Sequence, residues 1–386
     1  MRIGIVSETY PPEINGVALT VHSLAAGLAA RGHTVEVIRP RQPQPFADEP
    51  GILATEVRGA ALPRYPGLRL GLPAGRMLRR RWARLRPDAL YIATEGPLGG
   101  SALRAANRLG IPVSTGFHTR FDAYAGHYGL GVLTPLVRGY LRRFHRRGAS
   151  TLVPTEALVH ELQELGVDNA RLLRRAVDTA LFHPSRRDPA LRAQWGVDGH
   201  TPVVLYVGRI APEKNLDLAV RAFRALQRRL PQARYVWVGD GPARAALEAA
   251  HPDFIFAGPQ RGEALARHYA SADVFFFPSL SETFGNVVLE ALAAGLPVVA
   301  YEEGAAREHL RDGCNGRCVA SGEERAFVDA AVELAGNPGL IRHMGRDAHA
   351  SMARLSPEAV IREFEALLQQ LAEEVRHVRH TAMVHV

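Results

Sequence analysis

Lysine is almost missing from this chain. Of 47 basic residues only Lys214 is a lysine, so 47 − 1 = 46 are arginine. Cysteine is nearly as scarce, with Cys314 and Cys318 the only two. Two cysteines cannot build a disulfide framework, and they cannot alone supply the four ligands of a structural zinc site. They read as small reduced side chains. No apolar run reaches the roughly 18 residues of a membrane-spanning helix, and no charged-then-apolar leader precedes the opening strand-like "RIGIVSE". A cytoplasmic location is the expectation. The G-x-G-x-x-G fingerprint is absent as well, which argues against a dinucleotide-dependent oxidoreductase.

The 386 residues suffice for about two domains of ordinary size. With 47% hydrophobic and 22% charged residues, the profile is that of a globular chain. The formal charge of +8 is unevenly placed. Residues 1–182 hold 24 arginines and 14 acidic residues, or +10, and residues 183–386 hold 47 − 24 = 23 basic and 39 − 14 = 25 acidic residues, or −2. A basic first half argues for an anionic surface as its partner. Charge alone does not distinguish nucleic acid from lipid headgroups.

Short apolar runs alternate with helical periods along the whole chain. In the first half the runs are "RIGIVSE", "HTVEVIRP", "DALYIAT", "PVSTGFH" and "STLVPT". Helical stretches lie at Thr20–Arg31, Gly100–Leu109 and Pro135–Arg147. The second half repeats the design with "PVVLYVG", "YVWVGD", "FIFAG", "DVFFFP" and "PVVA", separated by helices near 215–230, 242–250, 262–270 and 285–295. Apolar runs without polar alternation suit strands buried on both faces of a parallel sheet. The expected fold is α/β, with two doubly wound Rossmann-like domains in series. The joint is expected within "DTALFHPSRRDPALRAQWG", residues 178–196. Residues 41–75, rich in proline and glycine, read as a long, partly irregular insertion, and the histidine-containing end "RHVRHTAMVHV" as a mobile tail.

Ligands of doubly wound sheets bind beyond the carboxyl ends of the strands, so the loops after strands carry the interest. In "SETYPPEINGVALTV", Gly16 lies just before a helix, where free N–H groups can hold a phosphate or where glycine serves the turn alone. In "GFHTRF", His118 follows a strand directly and reads either as structural or as functional. In "VGRIAPEKN", Arg209 and Lys214 sit at a strand end, a guanidinium fork and a compact ammonium able to neutralise a diphosphate. The bland alternative is a solvated pair. In "SETFGNVVLEALAAGLPVVA", Glu282 and Glu290 flank seven residues, and Gly285 and Asn286 are expected to open a helix whose N–H groups face an anion. Glu290, about one turn in, can accept hydrogen bonds from sugar hydroxyls and would repel phosphate. Capping and surface roles are the plain reading of the two glutamates.

Taken together, "GRIAPEKN" and "SETFGNVVLE" resemble the retaining GT-B glycosyltransferases of family 4, through the E-x7-E spacing and the Gly-Arg…Lys loop. "SETYPPEINGV" and "FHTRFDAYAGHYG" are similar to the N-terminal domain of that family, so the resemblance covers about residues 1–365. The first half looks closest to lipid-directed members such as GDP-mannose-dependent mannosyltransferases and sulfoquinovosyl- or glucosyl-diacylglycerol synthases. The resemblance implies two domains facing across a cleft, at residues 1–182 for the acceptor and 183–365 for the nucleotide sugar. It also implies a C-terminal helix, about 356–376, that crosses back, with 366–386 set apart as helix end and tail. By the same resemblance Gly16 approaches the donor diphosphate, His118 contacts the transferred sugar, and Arg209 and Lys214 bind the diphosphate. Glu282 and the amides of Phe284, Gly285, Asn286 and the adjoining Val287 hold the sugar. Glu290 binds the ribose, and Gly258–Gln260 lies near the base. One departure is "RRAVDT", where the family often has glycine at Ala176.

The implied chemistry is front-face transfer with retained configuration, in which the leaving diphosphate gathers charge beside Arg209 and Lys214. No Asp-x-Asp motif is present and cations stand where a metal would, so no metal or other cofactor is expected. Expected partners are a nucleotide-sugar donor and a lipid or glycan acceptor, with no nucleic acid. An anionic membrane surface is a further expected partner. Glu56 and Asp88 bound a span with nine arginines and no acid, and Asp122 and Glu156 bound a span with five. In "TPLVRGYLRRFHRR", Leu136, Val137, Tyr140, Leu141 and Phe144 form one helical stripe and Arg138, Arg142 and Arg146 another. Interfacial helices look like this, and so do helices packed on a sheet. The competing functions are a nucleotide-sugar epimerase on the same fold and a non-catalytic nucleotide-sugar or membrane-binding module.

Overall fold

The computed structural model describes residues 1–13, 15–43, 46, 49–61, 69–118, 134–280 and 284–384. The chain divides into two compact units, Met1–Arg175 with Pro357–Val386, and Ala176–Ser356.

The strands of the first unit are β1 (Arg2–Val6), β2 (Thr34–Pro40), β3 (Ile52–Val57), β4 (Gly59–Ala61), β5 (Arg69–Gly71), β6 (Ala89–Ile92), β7 (Val113–Gly116), β8 (Ser150–Val153) and β9 (Ala170–Leu172). Its helices are α1 (Gly16–Ala30), α2 (Gly75–Arg84), α3 (Pro97–Leu109), α4 (Thr134–His145) and α5 (Glu156–Glu164). Seven strands form one parallel sheet in the order β3-β2-β1-β6-β7-β8-β9. The order reverses between β1 and β6, which marks the switch point of a doubly wound sheet. Every residue of β6, β7 and β8 is buried, as their unbroken apolar or small-residue runs require.

The region 41–75 is more regular than its composition suggests. β3 pairs in parallel with β2 from Val35↔Ile52 to Pro40↔Val57, and β4 and β5 form an antiparallel hairpin. β3 is an edge strand with only Ile52 and Val57 buried, so it lacks the continuous apolar run that reveals a central strand.

In the second unit the strands are β10 (Val203–Val207), β11 (Arg234–Val238), β12 (Ile255–Gly258), β13 (Val274–Phe277), β14 (Val298–Tyr301) and β15 (Gly316–Val319). Helices α6 (Pro189–Gln194), α7 (Leu216–Arg229), α8 (Arg244–Ala250), α9 (Gly262–Ser271), α10 (Asn286–Ala293), α11 (Gly304–His309), α12 (Glu324–Ala335) and α13 (Pro338–Ser351) accompany them. The parallel order β12-β11-β10-β13-β14-β15 again reverses once, between β10 and β13. One face of this sheet packs Leu205, Phe275 and Val298 against Leu289 and Leu292, and the other packs Tyr206, Trp237 and Phe276 against Phe223 and Phe327.

The unit boundaries differ from those read in the sequence. The first falls at Arg175/Ala176 rather than at 182/183, because Val177 already donates to Leu355 O at 2.9 Å within the second unit and its side chain joins that unit's core. The final helix, α14 (Pro357–Val384), belongs to the first unit from its first residue rather than from 366. Ile361 packs on Gly27, where a Cβ would lie 2.1 Å from its Cδ1. Phe364 meets the Tyr91 ring edge-on at 5.0 Å, and Glu365 bonds His33 at 2.6 Å. At Ala176 the backbone has no positive φ, since Asn215 alone among the described non-glycine residues has one, so this position does not require the glycine found in the family.

Candidate functional site

At the switch point of the second unit, three loops are laced by their backbones. Gly208 N donates to Val238 O, Gly239 N to Gly258 O, and Ile210 N to Asp240 O, at 3.0, 3.0 and 2.9 Å. The approach leaves no room for side chains. A Cβ on Gly239 would lie 1.9 Å from Gly208 O, and one on Gly241 2.3 Å from Ile210 O. The "VGDGP" turn is therefore part of the scaffold under the Arg209 loop, although nothing in its composition singled it out.

That loop turns sharply. Pro212–Lys214 is one turn of 3-10 helix, and Asn215 follows in the left-handed region at φ 54°. Asn215 Nδ2 donates to Pro278 O at 3.3 Å, tying the loop after β10 to the loop after β13 across the reversal. Arg209 is exposed, and its guanidinium meets Glu213 Oε1 at 3.2 Å. Lys214 is half-buried.

The loop after β13 leads into α10. Glu282 lies outside the described residues. Phe284 is buried, while Gly285, Asn286 and Val287 are half-buried at the helix N-terminus, where the first N–H groups lack intrahelical acceptors. Gly285 takes φ 88°. Gly304 fixes this segment from the other side, since it has φ 51° and a Cβ there would lie 2.3 Å from Phe284 O. We expect Gly304→Ala to cost about 2 kcal/mol or more, from a left-handed alanine plus a backbone clash. Guanidinium unfolding measures this, and a loss within about 0.5 kcal/mol would show that Phe284 yields freely.

Glu290 stands one turn into α10, half-buried, and accepts from the fully buried Tyr269 hydroxyl at 2.9 Å. Burial pushes its carboxyl up to about 7, against the lowering effect of the Tyr269 bond. Gly258 ends β12 with φ 70°, and Gln260 Nε2 bonds back to Ala257 O at 2.7 Å.

In the first unit, Gly16 is the exposed first residue of α1. Asn15 caps that helix, accepting from Ala18 N at 2.8 Å, and no acidic residue occupies the first turn. Glu8, buried just after β1, accepts from Leu98 N at 2.9 Å at the start of α3 and from Gly71 N. It thereby ties the loops on both sides of the reversal. Beside it, Tyr10 Oη, Glu13 Oε2, Arg39 Nε and Arg69 Nε are buried atoms without a hydrogen-bond partner among the described residues.

His118 follows β7 and is held at both ring nitrogens. Nε2 lies 2.7 Å from the Tyr91 hydroxyl and Nδ1 lies 2.7 Å from an Arg175 guanidinium nitrogen. Burial holds its pKa well below the ordinary histidine range, with the Arg175 and His145 charges acting in the same direction. Farther along the strand ends, Glu95 and His145 form a fully buried pair at 3.3 Å, and His145 Nδ1 meets Thr115 Oγ1 at 2.9 Å.

The apolar stripe of α4 divides into two. Leu141 and Phe144 are core residues, whereas Leu136 is 72% and Tyr140 47% exposed, among exposed Arg138, Arg142, Arg143 and Arg146. No described helix is long and apolar enough to cross a membrane. Among the described residues no three His, Cys, Asp or Glu side chains gather as metal ligands, and both cysteines are free, with burial pushing the Cys318 thiol up to about 11.

The candidates thus fall into separate groups. Arg209, Lys214, Gly258, Phe284, Gly285, Asn286, Val287 and Glu290 belong to the second unit, around its reversal, and Gly16 and His118 to the first. Arg175 and the buried polar atoms around Tyr10 and Glu13 were not among the candidates. Among 46 arginines nothing in the sequence marks Arg175, which is buried, as are Arg39 and Arg192.

Two parallel sheets, each with one reversal and loop clusters at the strand ends, give the chain the GT-B fold. The chain belongs to glycosyltransferase family 4, the retaining glycosyltransferases of that fold. The family described as "Glycosyltransferase Family 4" matches residues 14–181, and "Glycosyl transferases group 1" matches residues 201–337. A GDP-mannose-dependent alpha-mannosyltransferase of Mycobacterium tuberculosis is 36% identical over 342 residues, covering 86% of this chain and 88% of the relative. An alpha-monoglucosyldiacylglycerol synthase of Acholeplasma laidlawii is 28% identical over 396 residues, covering 97% and 98%. Among solved structures, a sucrose-phosphate synthase from Thermosynechococcus elongatus superposes with a TM-score of 0.77 at 19% identity, over 96% of this chain and 98% of that one.

Proposed function

We propose that this glycosyltransferase moves a hexose from a nucleotide-diphosphate sugar to a hydroxyl of a lipid or glycan at the inner membrane surface, without a metal. GDP-mannose is the favoured donor and UDP-sugars come second. One observation carries the reading. A loop with Arg209 and Lys214 is tied through Asn215 to the loop that opens α10, and that helix presents a half-buried carboxylate, Glu290, one turn in.

In this reading Arg209 and Lys214 hold the diphosphate and stabilise its growing charge as the glycosidic bond breaks. The amides of Phe284, Gly285, Asn286 and Val287 and the Glu282 side chain hold the sugar. Glu290 takes the ribose hydroxyls and Gly258 lies by the base. In the first unit, Gly16 serves the diphosphate and His118 the transferred sugar. A phosphate oxygen of the leaving group takes the acceptor's proton. Identity with the GDP-mannose-dependent relative supports the donor, and the diacylglycerol-directed relative supports a lipid acceptor.

A thermal-shift panel of GDP, UDP, ADP and their sugars tests the donor, since a ligand at 100 times its Kd stabilises by about 2.7 kcal/mol. Transfer of label from the stabilising donor to a lipid extract, unchanged by EDTA, tests the reaction. Consumption of donor without acceptor would favour the epimerase reading instead.

The first unit docks on anionic membrane in this reading, and the protein is peripheral to the cytoplasmic face. Exposed Leu136 and Tyr140 amid arginines support it, each cation near an anionic surface contributing about 1 kcal/mol. Co-sedimentation with anionic vesicles should fall with salt, and Leu136→Ser should weaken it about tenfold, on the scale of losing one partly buried leucine. Equal binding to neutral and anionic vesicles, unaffected by salt, would remove the idea.

A further inference from the structure

Arg175 is an anomaly in the first unit. It is 8% exposed, yet no carboxylate pairs with it among the described residues, and its Nε and one terminal nitrogen have no partner there. A buried, unpaired charge is costly. Burial lowers its pKa only to about 10, so it stays charged at neutral pH. Its one described hydrogen bond runs to His118 Nδ1 at 2.7 Å.

That bond decides the state of the imidazole. A guanidinium carries donors only. At 2.7 Å it cannot face a second N–H, so Nδ1 must present its lone pair. The ring proton then sits on Nε2 and is donated to the Tyr91 hydroxyl, also at 2.7 Å. The opposite direction, Tyr91 donating to Nε2, would force a proton onto Nδ1 against the guanidinium. An imidazolium would meet the same repulsion. Two close approaches keep the set rigid. A Cβ on Gly116 would lie 2.3 Å from Tyr91 Oη and 2.7 Å from His118 Nε2, so only glycine fits there. From the other side Phe364 of α14 packs against Tyr91. The charged and titratable groups facing His118 among the described residues are Tyr91 from β6, Arg175 after β9, and His145 from α4 with its partner Glu95.

We propose that Arg175 is a positioning residue that locks His118 in the neutral tautomer with its proton on Nε2, directing hydrogen bonds one way from Arg175 through His118 to Tyr91. His118 then serves the reaction as a fixed, uncharged group that keeps its Nε2 proton and neither gives nor takes one. This rests on the transferase reading for its catalytic consequence, and on this unit's geometry alone for the tautomer.

Nitrogen-15 NMR of the histidine rings in the full chain tests it, with His118→Gln used to identify the signal. The parent should show an unprotonated Nδ1 and a protonated Nε2 from pH 5.5 to 8, whether or not any transfer is detected. A proton on Nδ1, in either a neutral or a charged ring, would overturn the proposal. Arg175→Met removes the lock with a side chain suited to a buried site, a kind of replacement that is often neutral for folding. It should yield mixed tautomers and lower kcat by about 10²-fold, the scale of a misplaced reacting group, with donor KM unchanged. Arg175→Lys should restore the single tautomer and part of kcat. A methionine variant that keeps one tautomer and full turnover would show that the guanidinium positions nothing. Absence of transfer in the parent would count against the transferase reading and leave the tautomer result to decide this one.

Discussion

Replacing Lys214 with alanine should lower kcat/KM by about 10²–10³-fold, the scale for removing one preorganised donor to developing charge. In the proposed reading, a lysine persists here, in a chain whose other basic residues are all arginine, because the site needs a compact charge. Lys214 closes the 3-10 turn and its backbone N–H bonds Ala211 O at 3.0 Å. Arg209 lies on the same loop, its guanidinium already engaged by Glu213. A compact ammonium adds charge without a second planar fork. Lys214→Arg should therefore recover only part of the loss, although it keeps the charge. Both variants measured at saturating acceptor decide the matter. If the arginine variant matches the parent, position 214 needs only a positive charge.

If Glu290 takes the ribose as proposed, donor binding should tighten as pH rises through about 7, because the carboxylate accepts two hydroxyls only when ionised and burial holds its carboxyl near that value. Below it, affinity should fall by up to about tenfold per pH unit, and binding near pH 7 should release a proton. Calorimetry in two buffers of different ionisation enthalpy reads that proton. Glu290→Gln should remove the pH dependence and raise KM about 10–100-fold, since hydrogen bonds to a charged group contribute about 1.5–3 kcal/mol, while kcat changes little. The free protein carries the opposite sign. A carboxyl raised from 4.5 to about 7 contributes stability that is complete below its ordinary pKa and lost as pH rises through 7. At pH 8 without nucleotide, the glutamine variant should thus melt no lower than the parent. A large drop in its Tm at pH 8 would mean that the Tyr269–Glu290 bond serves the core instead of a ligand.

Lys214 stood out in the sequence by rarity and by its neighbours, and the structure added only its turn and the contact of the nearby Arg209 with Glu213. Glu290 was recognisable as a carboxylate one helical turn beyond a glycine. Its elevated pKa was not, because that comes from burial by the packing around it, which the bond from Tyr269, twenty-one residues away, only partly offsets. Likewise the α4 stripe was correct in spacing, but spacing cannot say which turns face the core. Leu141 and Phe144 do, and Leu136 does not.

By itself the sequence determined the alternation of strands and helices, the central strands of both sheets and the loops at their carboxyl ends. Central parallel strands are buried on both faces, so their apolar runs are continuous and local. Tertiary structure alone decided the rest. β3 is an edge strand, half wet, and its pairing with β2 leaves no period to read. The final helix joins the first unit through Gly27, Tyr91 and His33, contacts more than 270 residues distant in the chain. Arg175 differs from 45 other arginines in nothing but its surroundings. Its burial against His118 follows from β9 pairing with β8, which pairs in turn with β7, a consequence of long-range pairing that no local pattern encodes.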